Sequence, residues 1–125
     1  MDGPTARTVS LAEVMPDLLP GAWERLNRLA FNGEMQMPVF QVVPLANSAG
    51  TYSWNNDGTP GTIRIDPSIF EGNPLDVLGI VADVLLHEMT HQYVSEIKRK
   101  FLVGDGPVFR RELQAAHDRL KEVQP

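Results

Sequence analysis

Apolar positions change their spacing several times along this chain, and each change predicts an element. Leu19, Ala22, Trp23, Leu26, Leu29 and Ala30 recur at three- and four-residue intervals, which predicts a helix from about Pro20 to Asn32 with Gly33 as its stop. Upstream, Ser10 and Glu13 have the spacing of a capping box for a short first helix, which Pro16 and Pro20 are expected to break up. The period then shortens. "PVFQVV" (38–43) is β-branched and aromatic, "GTYSWN" (50–55) alternates, and "TIRID" (62–66) puts Ile63 and Ile65 on one face. Turn formers fill 55–61, so the last two strands are expected to pair as a hairpin.

Helical spacing returns after the strands. Asp66-Pro67 has the form of a cap and first residue of one short helical turn. Asn73 caps a longer helix, Pro74 suits its first position, and Asp76 suits the positive end of its dipole. Residues 75 to about 97 are mostly apolar, which predicts a helix buried in the middle of the domain. Gly104 and Gly106 interrupt it, Pro107 can start another, and Phe109, Leu113, Ala116 and Leu120 give that last helix an apolar stripe. The expected architecture is α+β: an N-terminal helix, a three-stranded sheet with a hairpin, a central helix and a C-terminal helix. One domain over 1–125 is expected, with no repeat or linker.

The central helix carries the chemistry. "VLLHEMTHQYV" (84–94) contains His87, Glu88 and His91 as His-Glu-x-x-His. Residues four apart lie one turn apart on one helix face, so both imidazoles can meet one ion. Glu88, rotated by about 100 degrees from His87, can reach a metal-activated water without binding the metal and serve as its general base. One zinc per chain is the expected cofactor, and a protein or peptide the expected substrate. Catalytic zinc usually has three protein ligands, so one is still to be found. The chain has three histidines and no cysteine. The remaining histidine, His117, lies four residues after Leu113 and either faces inward as a ligand or supporting group or is a plain surface histidine. Asp83, one turn before His87, is either a hydrogen-bond partner of a ligand imidazole or a plain helix-face charge. Tyr93 points away from the ligand face and is expected in the core. Tyr52 and Trp54 share a strand face and are expected to pack; if that strand is an edge, an extended peptide can add to it.

Composition narrows the setting. The chain has 125 residues, 42% hydrophobic and 22% charged, and a net charge of −5, which is ordinary for a soluble domain. The absence of cysteine excludes a disulfide framework and fits a reducing cytoplasm. The N-terminal "MDGPTARTVS" lacks the form of a secretory signal, and no membrane span is expected. Residues 1–95 hold 4 basic and 11 acidic side chains, whereas 96–125 hold 7 basic and 5 acidic. Lys98, Arg99, Lys100, Arg110 and Arg111 are therefore either a solvated face or a polyanion patch; nucleic acid as a partner is only weakly supported.

The stretch "LLHEMTHQYV", a short loop and "GDGPVF" resemble the SprT-like zinc metalloproteases, which include the Spartan DNA–protein crosslink proteases. "AGTYSW" and "TIRIDPSIF" are similar to that family's paired strands, and the resemblance spans roughly residues 20 to 122. It implies a minimal zincin-like core, His87 and His91 as ligands, and Glu88 as base. The family loop reads Gly-His-Gly-Pro-x-Phe, with its histidine as third ligand; here Asp105 stands at that place. The resemblance thus implies Asp105 as third ligand, and two histidines with one carboxylate are a known catalytic set. Asp105 also suits a cap for the helix from Pro107. In that case His117 supplies the third ligand or the site lacks one. A carboxylate ligand would make zinc a weaker Lewis acid, move activity to higher pH, and admit manganese or iron. The expected function is a zinc-dependent metalloendopeptidase. The alternative is a metal-binding or protein-interaction module on the same scaffold that cuts little or nothing. Crosslink-repair members carry further DNA-, ubiquitin- or clamp-binding segments, so that role is not carried over.

Overall fold

The computed structural model describes residues 11–101 and 104–122, with side chains described from Asp17 onward. Their order is α1 (Leu11–Ala30), β1 (Val39–Val42), β2 (Gly50–Ser53), β3 (Thr62–Ile65), a 3-10 turn (Pro67–Phe70), α2 (Pro74–Glu96) and α3 (Pro107–Glu122). This is an α+β arrangement of helices around a small mixed sheet.

Helix α1 corrects one expectation. It runs unbroken from Leu11 through Pro16 and Pro20. An interior proline costs about 3 kcal/mol. Burial of Leu19, Trp23 and Ala30 on one face offsets that, while Pro20 faces solvent. Ser10, half of the expected capping box, lies outside the described residues. The helix stops where expected: Asn32 and Gly33 both take left-handed φ values, 57° and 69°, and the Gly33 N–H closes on the Asn27 carbonyl at 2.8 Å. Asn27 also ties down the following segment through its side chain, donating to Met35 O and accepting from Met35 N.

The sheet has the order β1-β3-β2, with β1 parallel and β2 antiparallel to β3. The hairpin expected from the 55–61 turn is the β2–β3 pair, and β2 is an edge strand. Ile63 and Ile65 on the central strand point into the core; Arg64 lies on the opposite face, where it donates to Gln41 Oε1 and Ser53 Oγ.

Asp66 caps the 3-10 turn through Ser68 N, and Asn73 caps α2 through Leu75 N, with proline following each cap. Val77, Val81, Leu85 and Met89 of α2 meet Ile63, Ile65, Phe31 and Trp23 in one core. The Phe31 and Tyr93 rings lie 5.3 Å apart, which places Tyr93 in the core as expected. The burial of α2 is uneven, a second correction. Leu75, Leu78 and Ile80 are 79%, 49% and 44% exposed, because among the described residues only one face of its first half is covered. Its second half is packed on every side except toward the site. The helix ends at Glu96 with Ile97 as its cap, and beyond it Arg99 takes a φ of 57° while the Lys100 N–H turns back to Val94 O at 2.9 Å. That reversal sends the chain back along the helix toward His91.

Candidate metal centre

His87 and His91 stand on one face of α2 with ring centroids 5.2 Å apart. The chain reverses after Arg99 and brings Asp105 over both. Asp105 Oδ2 lies 3.3 Å from His87 Nε2, and Oδ1 lies 2.9 Å from His91 Nε2. Gly104, with φ of 78°, supplies a left-handed turn just before Asp105 that other residues adopt only with strain. The Asp105 backbone is held as well, by Arg110 Nη1 donating to its carbonyl at 3.1 Å. Its carboxylate thus points at the histidines, and no hydrogen bond from the first turn of α3 to that carboxylate is present among the described residues. The capping alternative does not describe where this side chain lies.

Phe109 forms the wall behind the histidines. Its ring stacks on His91 at 4.2 Å and tilts against His87 at 4.7 Å. Phe109 was expected only as part of an apolar stripe. In the structure it orients both imidazoles, and burial beside it pushes the His91 pKa below its ordinary value, against the opposing pull of the Asp105 charge. A neutral imidazole is the form that binds a metal.

One donor atom from each of His87, His91 and Asp105 lies within 4.8 Å of the other two, so the three form a group that could hold a metal ion. Ligand atoms around a tetrahedral zinc with bonds of about 2.0–2.1 Å are roughly 3.3 Å apart. The observed 3.3 and 2.9 Å separations, each to a different Asp105 oxygen, are of that order. His117 is not in the group. It lies eight residues beyond Phe109 on α3, about 12 Å along the helix at 1.5 Å per residue. Asp83 is exposed and makes no hydrogen bond to His87 among the described residues. The structure thus gathers His87, His91 and Asp105, and leaves His117 and Asp83 outside.

Glu88 is buried beside this group, 6% exposed. It has no hydrogen-bond partner among the described residues. Burial, helped by the nearby Asp105 charge, pushes its carboxyl up to about 7. A carboxyl with that affinity can take and return a proton near neutral pH. Strand β2 lies directly against it. A Cβ on Gly50 would stand 3.2 Å from Glu88 Cγ and 2.8 Å from Val84 Cγ1. Gly50 is therefore a requirement of the close approach between strand and helix.

Two turns farther along α2, a polar network fixes the same strand. Tyr52 donates its hydroxyl to Glu96 Oε2 at 2.6 Å, Gly61 N–H donates to the same oxygen at 2.8 Å, and Gln92 reaches Glu96 Oε1 at 3.2 Å. Gln92 in turn accepts from Trp23 Nε1 at 3.0 Å and donates to Gln36 O. Burial and the Glu96 carboxylate raise the Tyr52 pKa, so the phenol stays a donor. Tyr52 packs against the core as expected and adds its hydrogen bond to Glu96. Gln92 and Glu96, four apart on an apolar helix, were the unread signal. Trp54 departs from simple core packing: it is 40% exposed and leans on Phe101 at 4.2 Å.

Together these elements enclose an open cleft of about 550 Å³, with Glu88, His87, His91 and Asp105 on one side and Gly50, Thr51, Tyr52 and Trp54 on the other. Lys98, Lys100, Arg110 and Arg111 are all exposed around the loop that carries Asp105. No described helix is long and apolar enough to cross a membrane. No family model, curated protein or solved structure matches the chain.

Proposed function

We propose that this chain is a small zinc-dependent endopeptidase of the SprT-like kind. The observation that carries the reading is the burial of a carboxyl, Glu88, that has no hydrogen-bond partner among the described residues, next to three converging side chains that could hold a metal. A scaffold has no use for such a group, since burying a carboxyl without a partner is costly. The match to the motif His-Glu-x-x-His and to the loop "GDGPVF" supports the same reading.

His87 Nε2, His91 Nε2 and an Asp105 oxygen would hold the ion. When bound, it supplies Lewis acidity toward water and toward a peptide carbonyl. Glu88 accepts the proton of the attacking water on its carboxylate and later returns it to the leaving amine. Strand β2 binds the substrate: its outer edge is unpaired in the described sheet, and an extended peptide can add there as a fourth strand. Phe109 shields the back of the histidines from water. Asp105, an anionic ligand in place of the neutral one in the resembling family, shifts activity toward higher pH.

The anionic Asp105 is also the one observation that favours a second reading, a metal-holding peptide-binding module with little turnover. Glu88→Gln separates the two. It keeps all three ligands, so the variant should retain its metal, and turnover of an unfolded protein such as casein should fall ~10²-fold or more. Equal cleavage by parent and variant would contradict the peptidase reading.

A further inference from the structure

Trp54 and Phe101 stand out from the other aromatic residues. Trp23 is 2% exposed and satisfied by Gln92, and Phe31, Phe70, Tyr93 and Phe109 are buried, but Trp54 and Phe101 are 40% and 48% exposed. They come from different segments, one just past β2 and one just past α2, and meet with ring centroids 4.2 Å apart at a tilt of 41°. The Arg99 guanidinium lies 5.4 Å from the Phe101 ring on the same lip. Both rings line the cleft that holds His87, Glu88 and His91. Exposing two large rings to water is unfavourable unless something covers them.

Their position along β2 indicates what covers them. Strand and helix run side by side: Gly50 packs on Glu88, Tyr52 bonds to Glu96, and Trp54 meets Phe101 beyond the helix end. Four residue steps separate Gly50 from Trp54, about 13 Å at ~3.3 Å per residue. A peptide added antiparallel to β2, the more stable pairing, would run from Trp54 toward Gly50. Its residue at Trp54 would then precede the residue at Glu88 by three or four positions. We propose that Trp54 and Phe101 form a distal substrate subsite that takes an aromatic or large aliphatic side chain three or four residues before the cleaved bond. The subsite rests on the peptidase reading for its meaning and on strand addition for its register. It gives the cleft a preference for unfolded chain, because such side chains are buried in folded substrates.

The test uses the zinc-supplemented full chain and two otherwise identical unstructured peptides that differ only in Phe or Ala at one position, with any cut bond mapped by mass spectrometry. The parent should cleave the Phe peptide with kcat/KM higher by about tenfold. The ratio should fall to near one in Trp54→Ala and in Phe101→Ala, and be largely kept in Trp54→Phe. A ratio near one in the parent, or unchanged in Trp54→Ala, overturns the subsite. Binding gives a second readout that needs no turnover. The chain has two tryptophans, and Trp23 is buried, so a shift in emission on adding peptide to Glu88→Gln reports Trp54. If the Phe peptide shifts the emission more than the Ala peptide but neither is cut by the parent, the subsite stands and the peptidase reading fails. If both are cut equally with no difference in emission, the peptidase reading stands and the subsite fails. A shift produced by an oligothymidylate and by neither peptide would make the pair a base-stacking surface and overturn the proposal.

Discussion

Asp105 Oδ1 lies 2.9 Å from His91 Nε2, although the two residues belong to different elements and the chain reverses direction between them. The reversal depends on Arg99 and Gly104, both in the left-handed region. That path carries the Asp105 carboxylate to both imidazoles, as the proposed ligand role requires. Asp105→Ala should therefore lower zinc affinity at least tenfold with little loss of fold stability, as measured by competition with a chromogenic chelator. His117→Ala should leave affinity unchanged. The reverse pattern would assign the third ligand to His117.

Glu88 links the site to stability. Its folded pKa is raised, from 4.5 to about 7. A raised carboxyl pKa means that its protonated form is favoured by folding. Metal-free protein should hold this part of its stability below about pH 4.5 and lose it as pH rises to about 7. Glu88→Gln, neutral at every pH, should stabilise the metal-free chain at pH 8 by on the order of 2 kcal/mol and change little at pH 4. Urea titrations at the two pH values would check this. A destabilised variant at pH 8 would mean that the buried carboxylate has a partner.

Gly50 sets the spacing between β2 and α2. A methyl group there would press on Val84 Cγ1 at 2.8 Å and Glu88 Cγ at 3.2 Å. Gly50→Ala should cost about 1–3 kcal/mol by overpacking. It should also reduce turnover by displacing Glu88 while leaving the metal in place. Thermal unfolding and metal analysis of the same preparation distinguish this from general misfolding.

Glu96 accepts from Tyr52, Gly61 and Gln92 together. Glu96→Ala should cost roughly 2–4 kcal/mol, since it leaves several donors without their acceptor. Tyr52→Phe should cost less, about 1 kcal/mol. The double variant should lose less than the two single losses added, because both remove one shared bond. Strict additivity in denaturant unfolding would show that the Tyr52–Glu96 bond contributes nothing.

Features set by neighbouring residues were legible in the sequence. The Asp66-Pro67 and Asn73-Pro74 starts, the Asn32-Gly33 stop and the Pro107 start follow from backbone chemistry within a few positions. The pairing of His87 with His91 follows from helix geometry. Asp105 was reached only through the loop it shares with a resembling family, because no local rule says where a glycine-flanked loop returns. Features that depend on packing between distant segments were not legible. Pro16 and Pro20 locally argue against a helix that Leu19 and Trp23 nevertheless hold together through burial. The parallel pairing of β1 with β3, the stacking of Phe109 on His91, and the Gln92–Glu96 network each join residues far apart in the chain.

The central claim is that His87, His91 and Asp105 together hold one divalent ion. Metal content by plasma mass spectrometry, on parent and His91→Ala protein purified without chelators and dialysed against trace zinc, tests it most directly. About one zinc per parent chain and nearly none in the folded variant is the expected result. A folded parent with no metal above background, or the same content in both proteins, would contradict it and leave Asp105 as a hydrogen-bond acceptor between two histidines.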